Sequence, residues 1–348
     1  MLTKIISSSY ISQIKKWAGW AERYVIICHT SPDGDAIGSS LGFWHFLLSM
    51  GKQARVIAPN AYPDFLSWMP GASEIVNAAK QPQEAQRLIQ EADVICCIDF
   101  NALNRIEELG EAVKNSVARK ILIDHHPFPE DFADITISHP EMSSSCELVF
   151  RLICQLGYYP KMTKEAAECI CAGMMTDTGN FSYNANNKDV YFILSELISK
   201  GVDKDEIYRR LYYNYSAGRL RLMGFVLYEK MILFPKYHAA LITLTKQEME
   251  RFQYVKGDSE GFVNMPLQIK GILFTAFLRE DTEKEGKINV SLRSTGTFPC
   301  NQVASQFFHG GGHLNASGGE LYGVTLDEVV KLFKEALEKF KPQLTAVN

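Results

Sequence analysis

The first half of the chain alternates short apolar runs with stretches that have the periodicity of amphipathic helices. The apolar runs cover residues 24–28, 54–58, 93–99 and 120–124, and helical or turn-rich sequence separates each from the next. This β-α-β rhythm predicts a parallel sheet flanked by helices. The first part of the chain is therefore predicted to be an α/β domain.

The pattern changes near residue 237. Three β-rich segments follow at 238–244, 271–280 and 287–294, with helices between them and a glycine-rich turn at 310–319. A capping box formed by Thr325 and Glu328 predicts the start of a closing helix. We therefore predict a catalytic domain at 1–195, a helical linker at 196–230, and a smaller mixed-sheet α/β domain at 231–348.

Composition narrows the class of protein. The 348 residues are 46% hydrophobic, which suits two folded domains, and the eight cysteines include no CxxC pair, which predicts reduced, buried thiols. No signal-peptide or membrane-spanning pattern is present, so we expect a cytoplasmic protein without a membrane partner. A net charge of −4 argues against a broad electrostatic contact with duplex DNA.

The first apolar run leads into a loop that carries His29, Asp33 and Asp35, just before a helical pattern. We expect Gly34 and Gly38 to give the backbone room to turn. By itself this loop is a weak signal, because aspartate and glycine are ordinary turn residues and Asp35 could simply cap the following helix.

More such side chains follow the later apolar segments. Asp99 ends the third run, Asp124, His125 and His126 end the fourth, and Asp177 follows an apolar stretch beyond them. Each has a structural alternative: a helix cap, a surface loop or a helix-terminal turn. Because ligands of open α/β sheets bind at the carboxyl ends of the strands, these positions can converge.

Taken together, the loops supply two imidazoles and four carboxylates. Nitrogen and oxygen ligands without thiolate favour Mn²⁺, with Mg²⁺ as the alternative. Two cations ~3.5–4 Å apart would lower the pKa of a bound water and stabilise the attacking and leaving oxygens of a phosphoryl displacement. We therefore expect a two-metal site for phosphate-ester hydrolysis, with these ligands: His29, Asp33, Asp35, Asp99, His125 and Asp177.

These motifs resemble those of the DHH phosphoesterases, a family named for the Asp-His-His that stands here at 124–126. The chain also has HxxPDGDA at 29–36, the strand-terminal Asp99 and TDTGxF at 176–181, all in the family's order. The resemblance implies an N-terminal domain of DHH type. It also implies that His29, Asp33 and Asp99 hold one metal, and that Asp35, Asp99, His125 and Asp177 hold the other.

The same resemblance implies roles for the rest of the Asp-His-His triplet. His126 would stabilise charge on the scissile phosphate or donate a proton to it, and Asp124 would orient its neighbours. Three serines, Ser143, Ser144 and Ser145, precede an apolar helix. Helix capping is the first interpretation of these serines, and contact between substrate and the helix N-terminus is the second.

The last part of the chain resembles the DHH-associated domain, whose glycine-rich motif stands here at 310–318. Exposed glycine N–H groups can approach an anion closely, His313 can add a donor or stack on a base, and Arg293 can bind a terminal phosphate through two hydrogen bonds. A plain glycine turn and an exposed arginine are the alternatives. The expected substrate-binding residues are Arg293, Gly311, Gly312, His313 and Ser317.

The two-domain layout is similar to the family's oligoribonucleases, which trim RNA of a few nucleotides and remove the 3′-phosphate of 3′-phosphoadenosine 5′-phosphate. The expected partner is a small nucleotide or a short single-stranded RNA. A cyclic-dinucleotide phosphodiesterase acting on cyclic di-AMP or its linear product is the second hypothesis, and a non-catalytic nucleotide sensor is the third. The oligomeric state stays open, with a homodimer as one alternative.

Overall fold

The structure is a computed structural model and describes residues 2–213 and 215–346. The chain divides into two compact units, Met1–Asn214 and Tyr215–Asn348. This division falls inside the segment for which the sequence predicts a helical linker.

The first unit is built on a six-stranded sheet in which every strand pair is parallel. Its strands are β1 (Arg23–Ile27), β2 (Gln53–Ala58), β3 (Val76–Asn77), β4 (Val94–Ile98), β5 (Arg119–Asp124) and β6 (Ile135–Ser138). Its helices are α1 (Ser8–Ala18), α2 (Gly34–Ser49), α3 (Pro82–Glu91), α4 (Leu109–Asn115), α5 (Ser145–Leu156), α6 (Lys164–Asp177), α7 (Lys188–Ser199) and α8 (Lys204–Tyr212).

The strand order β3-β2-β1-β4-β5-β6 places a topological switch point between β1 and β4. The chain builds the sheet outward from β1 in one direction and from β4 in the other, so the loops after these two strands diverge. Helices α3 and α4 cover one face, and α1, α2, α5 and α6 cover the other. Ligands of such sheets bind in the crevice at the switch point.

Helices α2 and α6 pack unusually closely because glycines line their contact. A Cβ on Gly38 would lie 2.5 Å from the carbonyl oxygen of Cys169, and one on Gly42 would lie 2.6 Å from Cγ1 of Ile170. Gly34 and Gly38 lie within α2 without a positive φ. The expectation that these two glycines serve a turn is therefore wrong; they are needed for helix packing.

The second unit contains a mixed sheet of order β11-β12-β10-β9-β8-β7, in which only β8 and β9 pair in parallel. Its strands are β7 (Met231–Phe234), β8 (Ala239–Leu244), β9 (Phe274–Glu280), β10 (Lys287–Ser294), β11 (Gly311–Gly312) and β12 (Ala316–Tyr322). Its helices are α9 (Ala217–Phe225), α10 (Lys246–Arg251), α11 (Cys300–Phe307) and α12 (Leu326–Thr345). The predicted fold class, a parallel α/β domain followed by a mixed-sheet α/β domain, is confirmed.

The cysteine prediction also holds. All eight cysteines carry free thiols, and seven of them are buried. Within residues 2–213 and 215–346, none of the helices combines the length and the apolar character needed to cross a membrane.

The glycine contact between α2 and α6 gives the first testable prediction. Replacement of Gly38 by alanine should lower the free energy of unfolding by about 1–3 kcal/mol, because the added methyl overpacks the contact with Cys169. A Cβ on Gly224 of α9 would have no atom within 4 Å, so Gly224→Ala should stabilise by about 1 kcal/mol through helix propensity. Urea unfolding measures both, and equal effects of the two substitutions would contradict this account of the packing.

Candidate functional site

The residues that the sequence predicts to bind metal all lie near the carboxyl edge of the first sheet. His29 follows β1 and Asp99 follows β4 directly, so both flank the switch point. His125 comes directly after the last residue of β5. The other three occupy helix ends, as the N-cap of α2, the first turn of α2 and the last residue of α6: Asp33, Asp35 and Asp177.

One group of potential ligands consists of His29, Asp33 and Asp99. The Nε2 atom of His29 lies 3.5 Å from Oδ2 of Asp99 and 4.0 Å from Oδ1 of Asp33. The opposite ring nitrogen, Nδ1, lies 2.8 Å from the carbonyl oxygen of Thr30, to which it donates. This hydrogen bond fixes the ring with Nε2 toward the carboxylates.

A second group consists of Asp35, His125 and Asp177. The Nε2 atom of His125 lies 3.8 Å from Oδ2 of Asp35, 3.5 Å from Oδ2 of Asp177 and 3.6 Å from Oδ1 of Asp99. Its Nδ1 faces the carbonyl oxygen of Met142 at 3.4 Å. The second imidazole is thus oriented in the same way as the first.

Asp99 joins the two groups. Its Oδ2 faces His29 and its Oδ1 faces His125, so one carboxylate presents a different oxygen to each group. The Oγ of Ser145 donates to Oδ1 at 2.8 Å. Asp99 is 1% exposed and has a φ of 66°, in the left-handed region that favours glycine. Such strain costs about 1–3 kcal/mol and is typical of functional sites.

Asp35 is bound by the N-terminus of another helix. The backbone N–H groups of Ser145 and Cys146 donate to Oδ2 and Oδ1 of Asp35 at 2.6 and 2.9 Å. Ser144 caps α5 by accepting from the N–H of Glu147, as the first interpretation of the serines predicts. The N–H groups at this helix end are therefore bonded to the protein's own carboxylate, in a position where the helix dipole stabilises negative charge.

His126 and Asp124 form a pair beside the two groups. Nδ1 of His126 lies 2.8 Å from Oδ1 of Asp124 and 3.8 Å from Oδ1 of Asp99. Asp124 is fully buried, and within the described ranges its Oδ2 has no hydrogen-bond partner. This carboxylate fixes the ring of His126 next to the bridging carboxylate.

The electrostatics of the cluster follow from packing four carboxylates together. Burial, and then the charges of Asp99 and Asp177, raise the pKa of Asp35 well above its usual range. Burial also raises the pKa of Asp177 to about 7, against the opposing influence of His125. Burial alone would lower the pKa of His125, but Asp177 and Asp99 raise it to about 9. The cluster therefore favours positive charge between its carboxylates.

A buried ion-pair network supports the N-terminus of α5. Oε2 of Glu147 accepts from both the N–H and the hydroxyl of Ser143, at 2.9 and 2.6 Å. Oε1 accepts from Nε and Nη2 of Arg151, which also donates to Asp189 at 3.0 Å. Glu147 and Arg151 are 1% and 2% exposed. The network positions the serine loop whose groups hold Asp35 and Asp99.

The glycine-rich motif of the second unit is a hairpin at the edge of its sheet. A Cβ on Gly310 would lie 1.8 Å from the carbonyl oxygen of Gly318, so this glycine is required for strand pairing. Gly311 and Gly312 are exposed, and no atom lies within 4 Å of a Cβ on Gly311. His313 begins the turn, its N–H donating to the carbonyl oxygen of Ala316 at 2.7 Å.

The other two expected substrate-binding residues lie on β10 and β12, which pair with each other. Arg293 of β10 stands opposite Ala316 of β12 and is half-buried, with Nη1 donating to the carbonyl oxygen of Leu292 at 2.9 Å. Ser317 is 6% exposed, and its hydroxyl donates to Sγ of Cys300 at 3.2 Å. The structure thus places Ser317 inside the unit and leaves the glycine backbone as the exposed part of the motif.

Fold and site together define an α/β protein with a carboxylate and imidazole cluster at the switch point of a parallel sheet. The model of the DHH family, N-terminal domain, matches residues 23–174, and that of the DHHA1 domain matches residues 237–340. The bifunctional oligoribonuclease and PAP phosphatase NrnA of Thermus thermophilus is 31% identical over 320 residues, which cover 92% of this chain and 90% of that protein. The chain belongs to the DHH family, as its motifs predict.

Two further relatives have names that refer to other activities. A crystal structure of an exopolyphosphatase-related protein from Bacteroides fragilis is similar with a TM-score of 0.94 and 60% identity, covering 99% of each chain. The cyclic-di-AMP phosphodiesterase GdpP of Bacillus subtilis is 25% identical, over 91% of this chain but only 47% of its own length. The names of these three relatives therefore refer to different substrates.

The supporting residues of the site are the part that sequence reasoning misses. The sequence indicates Ser145 only as a cap or as a substrate contact, and it leaves the network of Glu147 and Arg151 unpredicted. A usable signal is present: an arginine four residues after a glutamate inside an apolar helix predicts a buried ion pair. The glycines at every fourth position of α2, residues 34, 38 and 42, are a second such signal.

The ion-pair network gives the second testable prediction. Glu147→Gln should lower the free energy of unfolding by about 3 kcal/mol or more, because it leaves the buried Arg151 without its nearest negative charge. Glu84→Gln is the matched control: Glu84 pairs with Arg87 on an exposed helix surface, where the loss should be about 0–1 kcal/mol. Urea unfolding should separate the two variants, and similar losses would show that the network contributes little.

Proposed function

We propose that this protein hydrolyses short oligoribonucleotides and 3′-phosphoadenosine 5′-phosphate, using a pair of divalent cations held by the cluster in the first unit. The observation that carries the proposal is the geometry of Asp99, whose two oxygens face two separate histidine and carboxylate groups. A bridging carboxylate of this kind suits two neighbouring cations. The NrnA name of the Thermus thermophilus relative supports the choice of substrate.

The reaction class rests on the family. As a member of the DHH family with relatives named as an oligoribonuclease, a phosphatase and a phosphodiesterase, the chain is a hydrolase of phosphate esters, as the sequence predicts. The identity of the metal and the use of two cations belong to the proposal.

The donor set fits divalent cations. Both imidazoles have Nδ1 directed at a backbone carbonyl oxygen, the usual arrangement for a histidine that binds metal through Nε2. Each Nε2 also lies 3.5–3.8 Å from carboxylate oxygens that are themselves acceptors, except for the longer contact to Asp33. Imidazole nitrogens and carboxylate oxygens lie at such distances from one another when they surround a shared cation.

The nearby thiols do not fit as ligands. Burial raises the pKa of Cys28 and of Cys146, so both stay protonated at neutral pH. Oxygen and imidazole donors without thiolate suit Mn²⁺ first and Mg²⁺ second. We propose that His29, Asp33 and Asp99 hold one cation, and that the other is held by Asp35, Asp99, His125 and Asp177.

When bound, the two cations would supply an activated water and charge stabilisation for an in-line displacement at phosphorus. The chain's own groups then have distinct tasks. Asp124 holds the ring of His126 through Nδ1, which makes Nε2 the atom that meets a substrate oxygen. We assign His126 the stabilisation of the phosphate and the delivery of a proton to the leaving oxygen.

The second unit is proposed to bind the rest of the substrate. The exposed backbone of Gly311 and Gly312 can approach a phosphate or sugar closely. His313 lies in the turn of this hairpin, and Arg293 lies on the neighbouring strand β10, opposite Ala316. Because the hydroxyl of Ser317 is bonded inside the unit, its contribution is to position the hairpin.

A specific observation supports one alternative. The similarity to GdpP makes a cyclic-di-AMP phosphodiesterase the second hypothesis, since the same cluster would open a cyclic dinucleotide. Polyphosphate is a third substrate to test, because of the name of the Bacteroides fragilis protein. A nucleotide sensor without turnover is the non-enzymatic alternative. A cytoplasmic location, the exclusion of duplex DNA and a homodimer stay predictions.

The third testable prediction concerns metal-dependent turnover. Purified protein with Mn²⁺ should hydrolyse a labelled RNA of a few nucleotides and 3′-phosphoadenosine 5′-phosphate faster than cyclic di-AMP or polyphosphate, and a chelator should abolish turnover. His125→Ala should reduce kcat by about 100-fold or more, since even an outer partner of a metal ligand contributes about 10–100-fold. His45→Ala is the matched control, because its Nε2 is bonded to the carbonyl oxygen of Pro70.

A binding measurement separates the metal site from the substrate. Mn²⁺ should raise the Tm of the wild type and of His45→Ala much more than that of His125→Ala. If Mn²⁺ raises the Tm but no nucleotide is hydrolysed, the proposed metal site is supported and the hypothesis of a non-catalytic nucleotide sensor is favoured. Faster turnover of cyclic di-AMP would favour the second hypothesis.

The fourth testable prediction concerns the glycine hairpin. Gly311→Ala should fold normally, because no atom lies within 4 Å of the new methyl, yet raise KM by about tenfold, equivalent to about 1.4 kcal/mol, by blocking the approach of substrate. Gly224→Ala, in α9 of the same unit, is the control and should leave KM unchanged. Equal KM values for both variants would rule out a backbone contact at Gly311.

A further inference from the structure

The loop that follows the Asp-His-His triplet exposes a large aromatic side chain. Phe128 is 87% exposed and has a φ of 60°. A bulky residue rarely adopts a left-handed backbone, and the proline that follows it favours a φ near −120° instead. The fold thus holds an apolar ring in water on a strained backbone, although glycine would fit the backbone better.

Hydrogen bonds to the loop after β4 hold the loop that carries Phe128 in place. Nδ2 of Asn101 donates to the carbonyl oxygen of Pro127 at 2.7 Å and lies 3.5 Å from that of Phe128. The carbonyl oxygen of Asn101 accepts from the N–H of Glu130 at 2.7 Å, and Oε2 of Glu130 accepts from the N–H of Leu103 at 2.8 Å. These bonds tie the loop after β5 to the loop after β4.

The position of this loop points to the substrate. Both loops leave the carboxyl edge of the sheet, where ligands of open α/β sheets bind, and Asn101 lies two residues after the bridging Asp99. Phe128 lies two residues after His126, so their Cα atoms are within about 7 Å of each other. An exposed side chain on a backbone this close to His126 can reach a group attached to the reacting phosphate.

We propose that Phe128 is a stacking platform for the nucleobase next to the scissile phosphate, and that it makes the site prefer nucleotides over phosphate esters without a base. This inference rests on the proposed function and deepens it. An aromatic ring accepts any base, because every base has a π-face. Recognition of this kind suits an enzyme that degrades short RNA of mixed sequence.

The test compares ligands with and without a base. Phe128→Ala should raise KM for 3′-phosphoadenosine 5′-phosphate by about 5- to 100-fold, the range for loss of one stacked base, with little change in kcat. The inhibition constant of abasic ribose 3′,5′-bisphosphate should stay the same. Phe128→Tyr should retain the low KM. Val117→Ala, which alters another highly exposed apolar residue of the first unit, is the control.

A readout without turnover keeps the inference separate from the proposed reaction. Phe128→Trp should show indole quenching when 3′-phosphoadenosine 5′-phosphate is added, and none with the abasic ligand. If the wild type does not hydrolyse nucleotides, the proposed function fails, while quenching still decides the role of the ring. Absence of quenching, or equal losses for both ligands in Phe128→Ala, would overturn the inference.

Discussion

The close approach of α2 and α6 is the constraint on which the candidate site depends. A Cβ on Gly34 would lie 2.4 Å from Oγ1 of Thr176, and one on Gly173 would lie 2.3 Å from Sγ of Cys146. Glycines therefore bring the start of α2, the end of α6 and the start of α5 to one place. Because Asp35 and Asp177 lie at two of these ends, helix packing sets the distance between them to within the reach of a single cation.

That arrangement collects negative charge that the fold only partly compensates. The N-terminus of α5 gives Asp35 two hydrogen bonds and a favourable dipole, yet burial and neighbouring carboxylates still raise the pKa of Asp35. His125 compensates part of the remaining negative charge, because the neighbouring carboxylates raise its pKa to about 9 and so favour its protonated form. The repulsion between these carboxylates lowers the stability of the protein without metal. A divalent cation would neutralise their charge, so metal binding and folding stability are coupled.

The sequence predicts the positions of the candidate residues better than the means by which they are held. His29, Asp99 and His125 follow apolar runs, and strand ends of a parallel sheet meet at one edge, so their convergence follows from a local pattern. The capture of Asp35 by Ser145 joins residues 110 positions apart, and no local pattern specifies such a pair. The spacing of Glu147 and Arg151 is a local signal for their ion pair, but Asp189 joins the network from 38 positions away, and no local pattern specifies that contact.

A strained backbone at a residue other than glycine indicates that the side chain of that residue is needed. Several loops at the carboxyl edge of the first sheet contain a residue with positive φ, where glycine would be less strained. Asp99 is one of them, and a glycine there would remove the carboxylate that joins the two groups. Phe128 is another, and its side chain makes no comparable contribution to the core. Packing of the Phe128 ring therefore does not offset the strain of its backbone. This is the physical reason to assign the ring a role in binding.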